Sequence, residues 1–415
     1  MLLKNAAVVL PDGVRENVSI LVKEGLIAGV YSAGESVGAP VTSAFSSGDV
    51  IDAGGSTVFP GFIDLHIHGA VGVDVNEADA DGLLEIAAFL ARNGVTAWMP
   101  TLVPDSDENY RRAIAAIDAL MEMQVSAAGT TTPAEAATSP LKGVELVGSF
   151  FTGARAVGVH YEGVFANEKM CGALRPEYFK SSSQWSVVGG QLPRLKTGIQ
   201  MTTLAPEIDG GIDLIRELVK QNWVASIGHT RADAGTLDKA FAAGAKHVTH
   251  FYNAMTGLHH RDLGVAGWAL TNKDVTFDII ADGIHSDPRM LELAVGIKTP
   301  DKVSLISDSV APTGLGDGKF QLWGETITVE NGKTRNERGS IAGSVITMLD
   351  AVNRMLSLGF SPADVAKMAS LNPAKLLGID KTHGSIELGK RADLVVIDTA
   401  GSVKMTVVGG EVVGN

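Results

Sequence analysis

From residue 56 to about 380 the sequence alternates short apolar runs with Ala/Leu-rich segments of helical spacing, and no other feature narrows the possible folds so far. "GLLEIAAFLARNG" leads into "VTAWMPT", "GIDLIRELVKQN" into "WVASIGH" and "TLDKAFAAGA" into "KHVTHF", while "KVSLISD" follows a helical stretch near 289–297. Alternation of this length predicts a parallel barrel or a doubly wound sheet. A barrel is favoured because polar residues able to do chemistry stand at the C-terminal ends of several different strands, where barrel active sites form. The two chain ends have another texture: "AAVVL" and "VSILVKEGLIAGV" near the start, and "VKMTVVGGEVVGN" at the finish, are short β-like runs broken by Gly turns. Ends of like character around a different middle predict one small β domain built from both termini. The stretch 125–143, poor in large apolar residues, reads as a mobile surface loop.

With 415 residues, 45% of them hydrophobic, the chain can bury a large core. A formal net charge of -13, with no block of Lys or Arg, argues against nucleic-acid partners. The lone Cys171 excludes an intrachain disulfide framework and fits a reducing compartment. No signal-peptide pattern and no uninterrupted apolar stretch of spanning length is present, so a cytoplasmic location with no membrane partner is expected.

"PGFIDLHIHG", residues 60–69, sets the chemistry. Strand residues i and i+2 share a face, so His66 and His68 point the same way. "AVGVHYEG" repeats that spacing with His160 and Glu162, "VASIGHT" ends in His229, "KHVTHFYNAM" in His250 and "VSLISDS" in Asp308. His160 and His247 read as core or orienting histidines. For the remaining set a metal is the better account, because buried carboxylates are costly unless paired or metal-bound. Imidazole and carboxylate without thiolate suit Zn, Fe, Mn or Ni. Five ligands, His66, His68, Glu162, His229 and His250, exceed one tetrahedral ion with an open position, which points to two divalent transition metals bridged by Glu162. Such an ion lowers the pKa of water to roughly 7. Asp308 then accepts the water's proton and delivers it to a leaving amine, although as an Asp before "SVAPTG" it could also cap a helix.

Taken as a set and in order, "PGFIDLHIHG", "HYEG", "GHT", "THFYNAM", "ADGIH", "SDSVAPTG", "LNPAKLLGI" and "GSIELGKRADLVVID" resemble the N-acetylglucosamine-6-phosphate deacetylase family of the amidohydrolase superfamily, from about residue 50 to the C-terminus. The resemblance implies a (β/α)8 TIM-type barrel over 56–380 and a small β-sandwich from 1–55 and 381–415. It implies hydrolysis of the acetamide of an amino-sugar phosphate, the small-molecule partner. It carries core metal ligation to Glu162, His229 and His250, the second-metal pair to His66 and His68, and the catalytic role to Asp308. Substrate contacts fall to Ala173, Asn253, Ala254, Arg261 and His285, with Arg261 and His285 as phosphate groups, for which a guanidinium fork and a second donor are suited. A phosphate-binding side chain from a neighbouring subunit implies a homodimer.

The sequence departs from that pattern in places. Val164 follows "EG" where Pro is usual, and Asp262-Leu263 replaces a common Glu-Pro beside Arg261. In "KMCGALRPEY", Leu174 stands where relatives carry a polar residue that polarises the substrate carbonyl. Leucine cannot donate, and one oxyanion-type donor is commonly worth about 2.7–4 kcal/mol of barrier. Either a second metal ion supplies the polarisation or the substrate differs, with Arg175 free to contact another sugar. The competing readings are an amidohydrolase acting on a different N-acyl amino sugar or a cyclic amide, and a binding protein that has lost catalysis. Cyclic amidases bridge their metals with a carboxylated lysine, and a binding protein would be expected to lose ligands; this chain offers Glu162 and keeps the full set.

Overall fold

The computed structural model describes residues 1–32, 50–129, 153–183 and 192–413. The chain opens with β1 (Leu2–Leu10), β2 (Gly13–Lys23), β3 (Leu26–Tyr31), β4 (Val50–Asp52) and β5 (Thr57–Pro60). There follow β6 (Phe62–Ile67), the ribbon β7 (Gly69–Ala70) and β8 (Val73–Asp74), β9 (Val95–Leu102), β10 (Arg155–Ala156), β11 (Gly158–Phe165), β12 (Ile199–Leu204), β13 (Val224–Ile227), β14 (His247–Val248), β15 (Thr276–Ile280) and β16 (Val303–Ile306). The last strands are β17 (Gly318–Leu322), β18 (Glu325–Glu330), β19 (Lys333–Arg335), β20 (Leu394–Ile397), β21 (Val403–Val408) and β22 (Glu411–Val413).

Strands β6, β9, β11, β12, β13, β14, β15 and β16 pair in parallel in that order. The ring closes at its C-terminal rim through a parallel bridge between Ile67 and Ser309, where the Asp308 N–H donates to His66 O at 2.9 Å and the His68 N–H to Ser309 O at 2.8 Å. This is the expected (β/α)8 architecture. Every residue of β9, "VTAWMPTL", is buried, as befits a parallel strand covered on both faces. The helix Ala80–Arg92 shows how the outer layer is held. Asp79 caps it by accepting the Gly82 N–H, and Leu83, Ile86, Ala87 and Leu90 form one apolar face against the barrel. Each large side chain so buried is worth roughly 1.5–3 kcal/mol. The helix Asp107–Gly129 runs into the stretch expected to be a loop from 125; from 130 onward that stretch lies outside the described residues.

Both chain ends meet in one eight-stranded sheet, ordered β22-β21-β20-β5-β1-β2-β3 with β4 beside β1. Residues 57–60, whose "STVF" run has the β texture of the N-terminal segment although the expected boundary falls at 55, join this sheet as β5. Its strands serve two cores, because alternate side chains face opposite ways. On β20, Leu394 and Val396 pack with Leu3, Val8 and Ile20 in a terminal core, whereas Val395 and Ile397 face the barrel's core. Among the described residues no helix is long and apolar enough to cross a membrane.

One element has no counterpart in the sequence reading: β17, β18 and β19 form a three-stranded antiparallel sheet after β16. Leu322, Trp323 and Ile327 from it pack with Val103, Leu174, Val310 and Ala342 at the barrel mouth. Its turns carry "WG" at 323–324 and "NG" at 331–332, all four residues at positive φ, which is the backbone of a tight hairpin.

Candidate metal centre and substrate cavity

The predicted ligands converge at the barrel's C-terminal mouth. His66 and His68, from the end of β6, bring their Nε2 atoms to 3.0 Å of each other. Glu162, on β11, presents Oε2 to this pair at 3.4 and 3.1 Å. Its Oε1 lies 3.0 Å from His229 Nε2 and 2.9 Å from His250 Nε2, and those two nitrogens are 3.1 Å apart. One carboxylate thus faces two imidazole pairs, one with each oxygen. Asp308, just past β16, sets Oδ1 3.4 Å from His66 Nε2 and 3.3 Å from His68 Nε2.

The donor set fits metal ions. His68 Nδ1 lies 3.2 Å from Thr101 O and His229 Nδ1 2.7 Å from Met170 O. A carbonyl oxygen only accepts, so Nδ1 carries the proton in each and the neutral ring turns an Nε2 lone pair inward. Lone pairs gathered around a shared carboxylate call for positive charge between them. Among the described residues two groups could supply ligands to an ion: His66, His68 and Glu162, and Glu162, His229 and His250. The electrostatics agree. Burial alone disfavours a charged His68, yet Asp308 and Glu162 pull its pKa up to about 10; His250 rises to about 9 against burial, driven by Glu162. Burial would raise Glu162, but His66, His229 and His250 hold it well below the usual carboxylate range. These shifts register the negative charge that Glu162 and Asp308 place among the imidazoles, a charge that a proton on the rings, or a metal ion at neutral rings, would offset.

Backbone conformation aims these groups. His229, His250 and Asp308 all have positive φ, at 48°, 36° and 50°. Such strain costs of order 1–3 kcal/mol per residue and persists only where the surroundings enforce it. Around His229 the enforcement comes from Glu207, whose carboxylate accepts from Thr230 Oγ1, from the Arg231 N–H at 2.7 Å and from Asn167 Nδ2 at 2.8 Å. Asp278 does the same for His250, accepting its backbone N–H on one oxygen and facing His247 Nε2 at 2.9 Å with the other. The Ser344 N–H donates to Asp308 O at 2.7 Å. Gly343, with φ 58°, lies so close that a Cβ there would stand 2.8 Å from Asp308 O and 2.6 Å from Val310 Cγ1. His160 sits below the ligands, its Nε2 2.8 Å from Thr203 Oγ1, and like His247 it is a buried core histidine. The sequence reading missed Glu207 and Asp278. A lone Asp inside the apolar run "TFDII" was a usable signal, since a buried carboxylate needs a partner.

Ala173, Asn253, Ala254 and His285 line the cavity over this cluster, together with Leu174, Trp323 and Ile341. His285 Nδ1 is 2.6 Å from Asp282 Oδ2. Asn253 Nδ2 donates to His250 O at 3.2 Å and so braces the ligand loop as well. Arg261 differs from expectation: it occupies an exposed turn, with Nη1 2.7 Å from His260 Nε2, and is absent from the lining. The turn carries it outward because Gly257 to Leu263 bulge beyond the helix Gly264–Thr271, Leu258 being 63% exposed. Arg175 is likewise committed elsewhere, to Asp105 Oδ2 at 3.1 Å, to Pro104 O at 3.0 Å and over the Tyr178 ring.

A parallel barrel whose mouth gathers four imidazoles around one carboxylate belongs to a known class: residues 57–413 match the amidohydrolase family model, and the chain belongs to that family. Its relatives narrow the comparison. Over 418 residues, 99% of this chain and 96% of the other, it is 33% identical to the N-acetylglucosamine-6-phosphate deacetylase of Bacillus subtilis (strain 168). It is also 33% identical over 354 residues, 85% of this chain and 86% of the other, to the N-acetylgalactosamine-6-phosphate deacetylase of Escherichia coli O157:H7. The crystal structure of N-acetylglucosamine-6-phosphate deacetylase from Thermotoga maritima matches with a TM-score of 0.82 at 29% identity, covering 100% of both chains.

Proposed function

We propose that this chain hydrolyses the N-acetyl amide of an amino-sugar phosphate, foremost N-acetylglucosamine 6-phosphate, to the free amine and acetate. The observation that carries the reading is Glu162 facing two imidazole pairs with Asp308 beside one of them. The activities for which the Bacillus and Thermotoga relatives are named support the substrate class, and that of the Escherichia relative makes the galacto epimer the second reading.

In this reading one divalent transition ion is held by His66, His68 and Glu162 and a second by Glu162, His229 and His250, zinc, iron, manganese and nickel all suiting the donors. Bound there, such ions supply acidified water and the Lewis acidity that Leu174 cannot replace with a hydrogen bond. Asp308 takes the proton of the attacking water as the water oxygen joins the carbonyl carbon. When the C–N bond breaks, Asp308 returns that proton to the leaving nitrogen. Asn253, Ala254 and His285 accommodate the sugar phosphate and Ala173 backs the acyl side. A homodimer, in which Arg261 reaches the neighbour's cavity, reconciles its exposed turn with phosphate binding.

The test is acetate release from 6-phosphorylated N-acetylglucosamine, -galactosamine and -mannosamine by protein purified without chelator. One to two transition-metal equivalents per chain and turnover of one of the three are expected. Asp308→Asn should keep its metal and lose roughly 10²–10⁴ in kcat. Full turnover by metal-free protein, or an Asp308→Asn variant as active as the parent, would sink the proposal.

A further inference from the structure

The cavity over the ligand cluster has two chemically different kinds of lining. Asn253, held to His250 O, and His285, held to Asp282, give it polar lining, while Leu174, Trp323 and Ala173 pack together as one apolar wall. A scissile amide carbon must lie near Asp308, from which the amine substituent and the acyl carbon diverge. The hydroxylated, phosphorylated amine side matches the polar lining, and the alkyl side matches the apolar wall. Trp323 stands directly at the reacting centre on that side, its ring 5.4 Å from His68 and edge-on at 84°.

This wall is built to stay put. Trp323 sits in the tight turn between β17 and β18, and its Nε1 donates to Asp74 Oδ2 at 3.0 Å, so the indole is pinned at its far end too. Leu174 is 4% exposed and packs against the Glu162–Gly163 turn, where its Cδ1 occupies the space a Gly163 Cβ would need. Arg338 fastens the two pieces together: its Nη2 donates to Ala173 O at 2.9 Å and Leu174 O at 3.2 Å, while its Nε pairs with Glu325 at 3.0 Å.

We propose that Trp323, with Leu174, is the residue that sets acyl length: the inserted hairpin closes the acyl end around a two-carbon group and rejects longer ones. The inference rests on the deacetylase reading. The reaction is the same for every acyl chain, with water oxygen added to the carbonyl carbon, the C–N bond broken and a carboxylic acid released.

The experiment compares kcat/KM for N-acetyl-, N-propionyl- and N-butyryl-glucosamine 6-phosphate in metal-loaded wild type, Trp323→Leu and Leu174→Ala, with melting curves and metal content recorded for each. A methylene in an apolar pocket is worth roughly 10–200-fold in discrimination. Wild type should therefore prefer acetyl over butyryl by at least about tenfold, and each folded, metal-replete variant should reduce that preference by about tenfold or more, whatever happens to its absolute rate. A merely structural role would lower all three rates together. An unchanged preference in both variants, or a wild type that takes butyryl as readily as acetyl, overturns the proposal. A wild type that releases none of the three acids overturns the deacetylase reading, and this proposal with it.

Discussion

Asp278 holds His250 by its backbone: one carboxylate oxygen accepts the His250 N–H while the other faces His247 Nε2 at 2.9 Å. Both partners of that pair are 1% exposed. The imidazole of His250 is therefore aimed from a strand it does not belong to, across the β14–β15 register, and its positive φ is paid by this contact. Groups that orient a ligand commonly matter 10–100-fold in metal affinity. Asp278→Ala should weaken metal retention by about that factor, read by competition with a chelator, and lower the melting temperature because a buried His247 loses its partner. Unaltered metal affinity would mean that His250 is positioned by its own loop alone.

Gly343 bears on Asp308 by exclusion. A methyl group at 343 would meet Asp308 O at 2.8 Å, and φ 58° is unfavourable to any L side chain. Gly343→Ala should cost roughly 1–3 kcal/mol of stability from backbone strain. If Asp308 carries the proton as proposed, the variant should also lower kcat more than it raises KM, because the displaced group would then serve the chemical step and not the sugar. Denaturant titration beside steady-state kinetics separates the two; a variant with parental stability and kcat would show that the loop yields freely.

How much of this was legible follows from where the information lies in the chain. His66 with His68, and Glu162 at the end of its own strand, could be read because a strand's period of two converts local spacing into a shared face. The barrel was legible from repeated alternation, since each β-α unit carries its own apolar signature. What was hidden depends on partners far apart in sequence. Trp323 and Asp74 are 249 residues apart, and nothing near either announces the other. The hairpin's "WG" and "NG" turns were present, but turns reveal a ribbon and not the surface it will cover. β5 joined the terminal sheet for a similar reason: its four residues pair with β1 and β20, and only those partners distinguish it from a barrel strand.

Asp105 gives a pH dependence with a defined sign. Burial pushes its carboxyl up, but Asn109 Nδ2, the Ser106 N–H and the Arg175 guanidinium together outweigh that and hold it below the usual 3.8. A carboxylate depressed in the native state stabilises fully above the unfolded pKa, and that stability drains away as pH falls through the native value. Asp105→Asn should therefore lose roughly 1–3 kcal/mol at pH 7, typical of hydrogen bonds to a charged group. The gap should narrow progressively below about pH 4. Because Arg175 also binds Pro104 O at 3.0 Å, the loop carrying Ala173 and Leu174 should loosen in the variant. Urea titrations at pH 7 and pH 3 check the sign; a gap that widened in acid would refute it.

Arg261 and His285 divide the phosphate question between two places. His285 lines the cavity and is held by Asp282, which also accepts the backbone N–H groups of Ile284 and His285 at 2.8 Å each. Arg261 lies on an exposed turn beside Leu258 and Leu263, and among the described residues the lining includes neither Lys nor Arg. On the proposed function, a dianionic phosphate facing a chain of net charge -13 would need local positive charge, and the proposed homodimer would supply it as a guanidinium from the second subunit. His285→Ala and Arg261→Ala should each raise KM for the phosphorylated sugar by about tenfold or more while leaving an unphosphorylated analogue nearly unaffected. Mixed dimers distinguish their geometry. Combining Arg261→Ala subunits with Asp308→Asn subunits restores one competent cavity per dimer if Arg261 acts across the interface, because the cavity with an intact Asp308 then receives its arginine from the other chain. Combining His285→Ala with Asp308→Asn restores nothing, since both residues serve their own cavity. Recovery in the second mixture and not in the first would reverse the assignment.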